Sequence, residues 1–302
     1  MKSFLKGLVV STLNRQVRRL YKKHQFKTIA VVGSIGKTST KFAVASVLSQ
    51  GMRVRYQAGN YNDIVSVPLI YFGHELPALT NIVAWLKVFR SNQKQIRGPY
   101  PFDAVVVELG TDFPGNIVQF KDYMKADIAV VTAITPEHME NFADLDAVAK
   151  EELTIVDFST TVLYSTDFIK DEHKKLLPEG AISYGIKNPS DYHLANIYHS
   201  AGGLEGVVKH GDEIYLHFGH EVVSQMQLYS MLAAVVVGNK LDMKRPDITA
   251  GIANIHPVSG RLRRLRGINN SIIIDDSYNA SPEAVKAALE SLYDLVTPQR
   301  IA

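Results

Sequence analysis

An α/β fold, a mostly parallel sheet with helices on both faces, follows from three observations on this 302-residue chain. Short runs rich in valine and isoleucine alternate with helical stretches, the pattern of repeated strand–helix units. One of these runs, Ile29-Ala-Val-Val32, passes straight into Gly33-Ser-Ile-Gly-Lys-Thr38 and a helix-like stretch from Phe42 to Leu48. Two more, Asp103–Gly110 and Asp127–Thr132, are apolar almost throughout, as strands covered on both faces are.

The glycine turn carries the first functional signal. Strand, glycine loop, lysine, hydroxyl and helix, in that order, form a phosphate cradle. Backbone N–H groups and the positive helix start face the anion. Gly33, Ser34, Gly36 and Ser39 would supply the loop. Lys37 would neutralise the β- and γ-phosphate oxygens, and Thr38 would place its hydroxyl on Mg²⁺. Val31 stands where the eight-residue form of the motif needs its first glycine. This is therefore the shorter Gly-x-x-Gly-Lys-Thr form, which an ordinary βα turn can also show.

Composition narrows the class. The length allows about two domains, and a hydrophobic fraction of 46% supports a real core. No run of about 18 apolar residues is present, so no spanning helix is expected. With no cysteine there is no disulfide, thiolate metal site or cysteine nucleophile, which fits a reducing cytoplasm. Residues 1–62 hold 12 Lys/Arg and no acid, whereas the remainder holds 21 Lys/Arg against 30 acids. An anionic ligand at the glycine loop accounts for part of that asymmetry. No nucleic-acid partner is indicated.

In chain order, residues 2–24 form an amphipathic helix, with Leu5, Leu8, Val9, Leu13, Val17, Leu20 and Tyr21 at helical spacing and basic residues between them. It lacks the cleavage site of a signal peptide. Two readings fit: an interfacial helix on an anionic membrane, or a helix packed on the nucleotide domain with its bases in water. The second is favoured. Strand 27–33 and helix 37–50 follow, then a strand at Arg53–Gln57. An amide-rich loop, Gly59-Asn-Tyr-Asn62, leads into a helix near Val67. A helix over 77–92 carries Trp85, and Ser91–Pro101 reads as a polar break.

Glu108 ends strand 103–110, where doubly wound sheets place ligands. It can serve a metal or phosphate, or be a salt-bridged cap. His138 lies just past strand 127–132, ahead of a helix over 144–158. Short strands follow at 162–165, 182–184, 192–199, 204–209 and 213–218, with turns at Gly202-Gly203 and His210-Gly-Asp212. Helices are expected at 225–240 and 246–254. Pro257–Arg261 closes this unit. Ser271–Asp276 is then a strand, and Pro282–Leu295 a helix with Ser281 as N-cap. Arg300-Ile-Ala302 reads as the start of another strand. The expected organisation is a basic helix (1–26), a nucleotide-binding unit (27–258) and the start of a further unit (259–302), cut short.

Together these stretches resemble the Mur ligase family. The resemblance rests on Gly33–Lys41, Gly59–Asn62 with Val67-Pro-Leu69, Glu108-Leu-Gly110 with Pro114-Gly-Asn-Ile117, Thr135-Pro-Glu-His138 with Phe142, Gly260-Arg-Leu262, and Asp275-Asp-Ser-Tyr-Asn-Ala-Ser-Pro282. They stand in family order over residues 27–295. The resemblance implies a central ATP-binding domain followed by the start of a Rossmann-like C-terminal domain. It implies ATP-dependent amide formation in peptidoglycan precursor synthesis, in which a carboxylate is phosphorylated and an amine then displaces phosphate. It assigns Thr38 and Glu108 to one Mg²⁺ and His138 to a second. Asn60 and Asn62 would contact the substrate, Arg261 the ATP phosphates, and Asp275 or Asp276 the ribose. The carboxylate, such as a UDP-linked muramyl peptide, and an amino acid or dipeptide would be its small-molecule partners, with the protein a cytoplasmic monomer or at the inner membrane face.

Three departures qualify the likeness. The family commonly has a carbamylated lysine fourteen residues past the histidine; here Glu152 stands there, with Lys150 two residues earlier. Glu152 could supply the metal with the charge that CO₂ would otherwise add, or belong to a solvated Lys-Glu-Glu run. The helix that contacts the base reads Ser224-Gln-Met-Gln-Leu-Tyr-Ser230, without the family's histidine and asparagine, so Gln225 or Gln227 would substitute. A UDP-sugar domain before the loop and most of the last domain are missing from the pattern. Without the latter, the amine step would lack positioning worth about 7–11 kcal/mol, so weak Mg-ATP binding and poor ligation are expected of these residues alone. The alternative is a nucleotide-binding subunit completed by a partner chain.

Overall fold

The computed structural model describes residues 2–200, 203–220, 225–278, 280, 282–295 and 299–302. In chain order, α1 (Lys2–Lys23) leads into β1 (Lys27–Val32), α2 (Lys37–Leu48), β2 (Val54–Arg55), α3 (Val67–Ile70) and α4 (Ile82–Arg97). Next come β3 (Ala104–Glu108), β4 (Ala126–Val131), α5 (Leu145–Leu153), β5 (Ser159–Ser165), α6 (Asp171–Lys174) and β6 (Ile182–Gly185). The chain continues through β7 (Tyr192–Ser200), β8 (Gly203–His210), β9 (Glu213–His220), α7 (Gln225–Lys240) and α8 (Arg245–Ala253). It ends with β10 (Arg263–Arg266), β11 (Ile272–Asp275) and α9 (Pro282–Asp294).

One sheet of nine strands runs in the order β2-β3-β1-β4-β5-β6-β7-β8-β9. The first seven are parallel, and β8 and β9 add an antiparallel edge. The central strand β1 lies between β3 and β4, with Val31 opposite Glu108 and Val32 opposite Val131. Alternate β1 side chains point to opposite faces. Ile29 and Val31 enter a core with α2, α7 and α8, whereas Ala30 and Val32 enter one with α1, α3 and α5. The carboxyl ends of β1, β3 and β4 therefore meet at one edge.

α1 docks along the second face. Val9, Leu13, Val17 and Leu20 are buried, and Gln16 donates to the Phe89 carbonyl (3.0 Å) and accepts from Asn92 Nδ2 (2.7 Å). The helix packs as the favoured reading expects, and Leu8 of the expected apolar set faces solvent.

The expected break at Ser91–Pro101 is overturned, because α4 continues to Arg97. Asn92 and Ile96 fall on its buried face, and Lys94 and Arg97 suit the negative C-terminal end. β10, unforeseen in Arg263-Arg-Leu-Arg266, pairs antiparallel with β11 in a separate two-stranded sheet. Arg300–Ala302 is not a strand. The helix expected to Phe158 is α5 followed by a tighter 3₁₀ segment, Thr154–Phe158. The Ser281 cap, the Gly202 turn position and Ser224 lie outside the described residues.

Leu13→Ala should cost about 2–5 kcal/mol of stability, because the vacated volume lies between packed elements. Leu8→Ala should stay within about 0.5 kcal/mol. Urea midpoints of the two variants check this difference.

Candidate active site

Where β1 ends, the chain must turn within a residue of its neighbours. Gly33 does so at φ 120°, and a Cβ there would lie 2.4 Å from Thr132 Oγ1 and 2.8 Å from the Ala133 nitrogen. No side chain fits. Gly36, at φ 82°, is the N-cap of α2 and provides no side-chain cap, so the first N–H groups of the helix remain available to an anion. Ser34 Oγ donates to the Thr135 carbonyl (2.9 Å) and accepts from the Thr135 N–H (3.0 Å), and Thr132 Oγ1 donates to the Ile35 carbonyl (2.6 Å). The loop is thus fastened to the end of β4.

Lys37 curls back over this loop. Its Nζ donates to the Gly33 carbonyl, to that of Ser34 (3.3 Å) and to Glu137 Oε2 (3.4 Å). Burial opposes its charge, but Glu152, Glu137 and Glu108 together outweigh that and hold its pKa above the usual lysine value. Thr38 Oγ1 donates to Glu108 Oε1 at 3.2 Å. Glu108 Oε2 lies 3.2 Å from Lys41 Nζ, a contact of charges that falls short of a directed hydrogen bond, with both side chains buried. Two hard oxygen donors, one on a carboxylate with an oxygen short of donors, suit Mg²⁺.

These groups line one cleft of about 280 Å³. Ser34, Gly36, Lys37, Thr38, Ser39, Asn60, Asn62, Glu108, His138, Arg261 and Asp276 all reach it, so most of the residues expected from the sequence converge. Asn62 sits so tightly on Gly110 that a Cβ there would come within 2.7 Å of Asn62 Nδ2. His138 adopts φ 51°, and its Nε2 lies 3.4 Å from Asp112 Oδ1 and 3.6 Å from Glu137 Oε1. From the far wall, Arg261 donates to Thr38 Oγ1 (3.4 Å) and stacks 4.0 Å from the Tyr278 ring centroid.

Two expected residues, Glu152 and Asp275, are placed differently. Glu152 does not reach the cleft. It is buried behind the loop, accepting the Gly33 N–H at 2.8 Å through Oε2, so the solvated-run reading fails. Asp275 and Asp276 accept the N–H groups of Gly260 (3.1 Å) and Leu262 (3.0 Å), holding the turn that presents Arg261. Only Asp276 remains on the wall. Its carboxyl is raised by burial, partly offset by the Leu262 N–H and Arg261, whereas Asp275 is lowered, chiefly by the Ser277 hydroxyl. On α7, Gln227 lines the cleft while donating to the Leu262 carbonyl (3.3 Å), and Ser230 accepts from Thr40. The side chains of Gln225 and Met226 are outside the described set.

Sequence reasoning missed Glu137, Asp112, Lys41 and Glu151. Lys41 could have been found, since it lies one helical turn after Lys37. Glu151 accepts from the N–H groups of Gly115 and Ile117 (2.7 Å each) and from Thr111 Oγ1 (3.2 Å), which fixes the loop bearing Asp112. Nothing local in the sequence signals that role.

A family model described as the Mur ligase middle domain matches residues 31–238. Among curated proteins, a UDP-N-acetylmuramoyl-tripeptide–D-alanyl-D-alanine ligase of Bacillus subtilis is 27% identical over 271 residues, covering 87% of this chain and 52% of its own length. The chain spans about half the length of the curated relatives it matches. Among solved structures, MurF of Acinetobacter baumannii superposes with a TM-score of 0.77 at 21% identity, covering 94% of this chain and 58% of that one. MurF ligase of Thermotoga maritima in complex with ADP does so with 0.76 at 23%, covering 94% and 61%. At these identities the structures show the shared fold.

Burial pushes the Glu152 carboxyl up to about 7, against the attraction of Lys37. The native state therefore keeps a proton that the unfolded chain releases near 4.5. Stability should fall as pH rises through that window, by up to about 1.4 kcal/mol per pH unit. Glu152→Gln cannot titrate, so its unfolding free energy should vary less with pH between those values. Equal slopes in the two proteins would show that Glu152 ionises normally.

Proposed function

The chain belongs to the Mur ligase family, and on that footing we propose that it is an ATP-dependent ligase of cell-wall precursor synthesis that forms an amide bond through an acyl phosphate. The observation that carries this reading is the meeting, in one cleft, of an uncapped helix start, Lys37, the Thr38–Glu108 pair and Arg261 from the far wall. The ADP named with the Thermotoga relative supports ATP as the phosphoryl source. The names of the relatives support a UDP-muramoyl tripeptide as the carboxylate and D-alanyl-D-alanine as the amine.

Bound Mg-ATP supplies the phosphoryl group that activates the carboxylate, and phosphate leaves when the amine attacks. The chain's part is positioning and charge neutralisation. The first N–H groups of α2 take phosphate oxygens, and Lys37 exchanges the carbonyls of its own loop for the outer phosphates. Thr38 and Glu108 hold the first Mg²⁺. His138, beside Asp112 and Glu137, would take a second cation. Asn60 and Asn62 orient the carboxylate substrate. Glu152 braces the Gly33 N–H and balances Lys37 from behind, which takes the place of the metal role that its position suggested. Residues 27–258 are the nucleotide unit, and 259–302 a second unit that delivers Arg261.

Titration calorimetry with Mg-ADP tests the site. Lys37→Ala should weaken binding by on the order of 10- to 100-fold, the worth of hydrogen bonds to a charged group. In a phosphate-release assay, turnover should require both the tripeptide carboxylate and the dipeptide amine. Equal release without them would overturn the ligase reading, and release only with a second protein would favour a subunit.

A further inference from the structure

α1 and α4 form a pair whose outer end exposes several large apolar side chains. Their contacts advance together: Gln16 meets Phe89 and Asn92, while Lys23 donates to the Arg97 carbonyl (2.6 Å) and His24 lies 3.1 Å from that of Ile96. The helices are therefore parallel, and their N-terminal turns share one end. There, Val9, Leu13, Trp85 and Val88 face inward, joined by Val65 and Leu69. On the outer side of the same turns, Phe4 is 76% exposed and Val83 63%, with Leu8, Ile82 and Leu86 also exposed. Each helix is thus apolar on two faces over this end, and only one is covered. A clustered apolar tip of this kind marks an interaction surface.

Charge identifies what it meets. α1 carries seven Lys/Arg and α4 four, and neither contains an acid. Lys6, Arg15, Arg19, Lys87, Arg90 and Lys94 are exposed, and none is in an ion pair among the described residues. The parallel helix starts add positive potential at the tip. An apolar tip on two helices that carry only basic charges fits the boundary of an anionic lipid bilayer, where apolar side chains enter the acyl region and Lys/Arg meet headgroup phosphates.

We propose that the paired N-terminal ends of α1 and α4 dock this protein on membranes containing anionic lipid. No helix is long and apolar enough to cross a membrane among the described residues, so the contact is peripheral. Asn60 and Asn62, which line the cleft, and Val65, in the cluster beneath the tip, belong to one segment of the chain. This proposal does not depend on the reaction catalysed.

Co-sedimentation of the 302-residue chain with vesicles of phosphatidylcholine, alone or mixed with phosphatidylglycerol, tests it. Binding should be confined to the mixed vesicles and weaken with salt. Phe4→Ser with Val83→Ser should lower it by on the order of ten-fold or more, as two apolar side chains leave the bilayer. Lys87→Gln with Arg90→Gln should lower it by on the order of twenty-five-fold, at about five-fold per lost charge. Both double variants alter exposed side chains outside the cleft, and retained Mg-ADP binding shows that they are folded. Absence of vesicle binding, equal binding to both vesicles, or binding untouched by either double variant would overturn the proposal. A dimer that the apolar variant dissociates, without vesicle binding, would assign the tip to a second copy.

Discussion

The site depends on a balance of buried charge around the first turn of α2. Lys37 and Lys41 lie one helical turn apart, both withdrawn from water, and each is held by carboxylates from other strands and loops. Glu108 faces Lys41 and Thr38 from β3, Glu137 faces Lys37 from beyond β4, and Glu152 stands behind Gly33 on α5. Breaking a buried pair by removing one partner costs about 3–5 kcal/mol, because the other charge is left uncompensated. The parallel sheet brings these groups together, since β3, β1 and β4 are neighbours and end at one edge. A glycine with no room for a Cβ, and loop bonds from Ser34 and Thr132, keep the helix start where those charges need it.

The same balance makes the loop ready for an anion. Lys37 satisfies itself on its own loop's carbonyls and on Glu137, groups that phosphate oxygens can outbid. Glu152 cannot leave, because α5 is packed and its oxygen holds Gly33. The carboxyl group behind the loop is therefore fixed in position while the positive charge in front can reach. A shorter side chain at the family's lysine position suits bracing better than reaching into the cleft.

Local chemistry was legible in the sequence. The glycine loop, the apolar strands that feed it, and the carboxylate and histidine at strand ends each announce themselves within a few residues, and the structure assembles them in one cleft. What escaped depends on distance along the chain. Glu151 reads as part of a charged run, yet long-range packing buries it against three donors. Ser91–Arg97 reads as a polar break because Asn92 gains its Gln16 partner only once α1 lies alongside, and Gln95 meets Phe72 and Arg55 only once the chain has folded back. Arg263–Arg266 lacks the apolar alternation of a strand because both of its faces remain largely open to water. Asp275 and Asp276 look like ligand carboxylates, but the turn they hold is visible only when the chain has folded back.

Arg261 and Thr38 are 223 positions apart in sequence, and their contact brings the second wall of the cleft onto the first. This makes the site a device of high contact order: the entropy of closing so long a loop must be met before either wall gains from the other. During synthesis the phosphate loop is complete long before its counterpart leaves the ribosome. A ligand that touches both walls binds the docked arrangement better than one in which they are apart. By linkage, any ligand that contacts both walls stabilises their contact, and its affinity rises or falls with the strength of that contact.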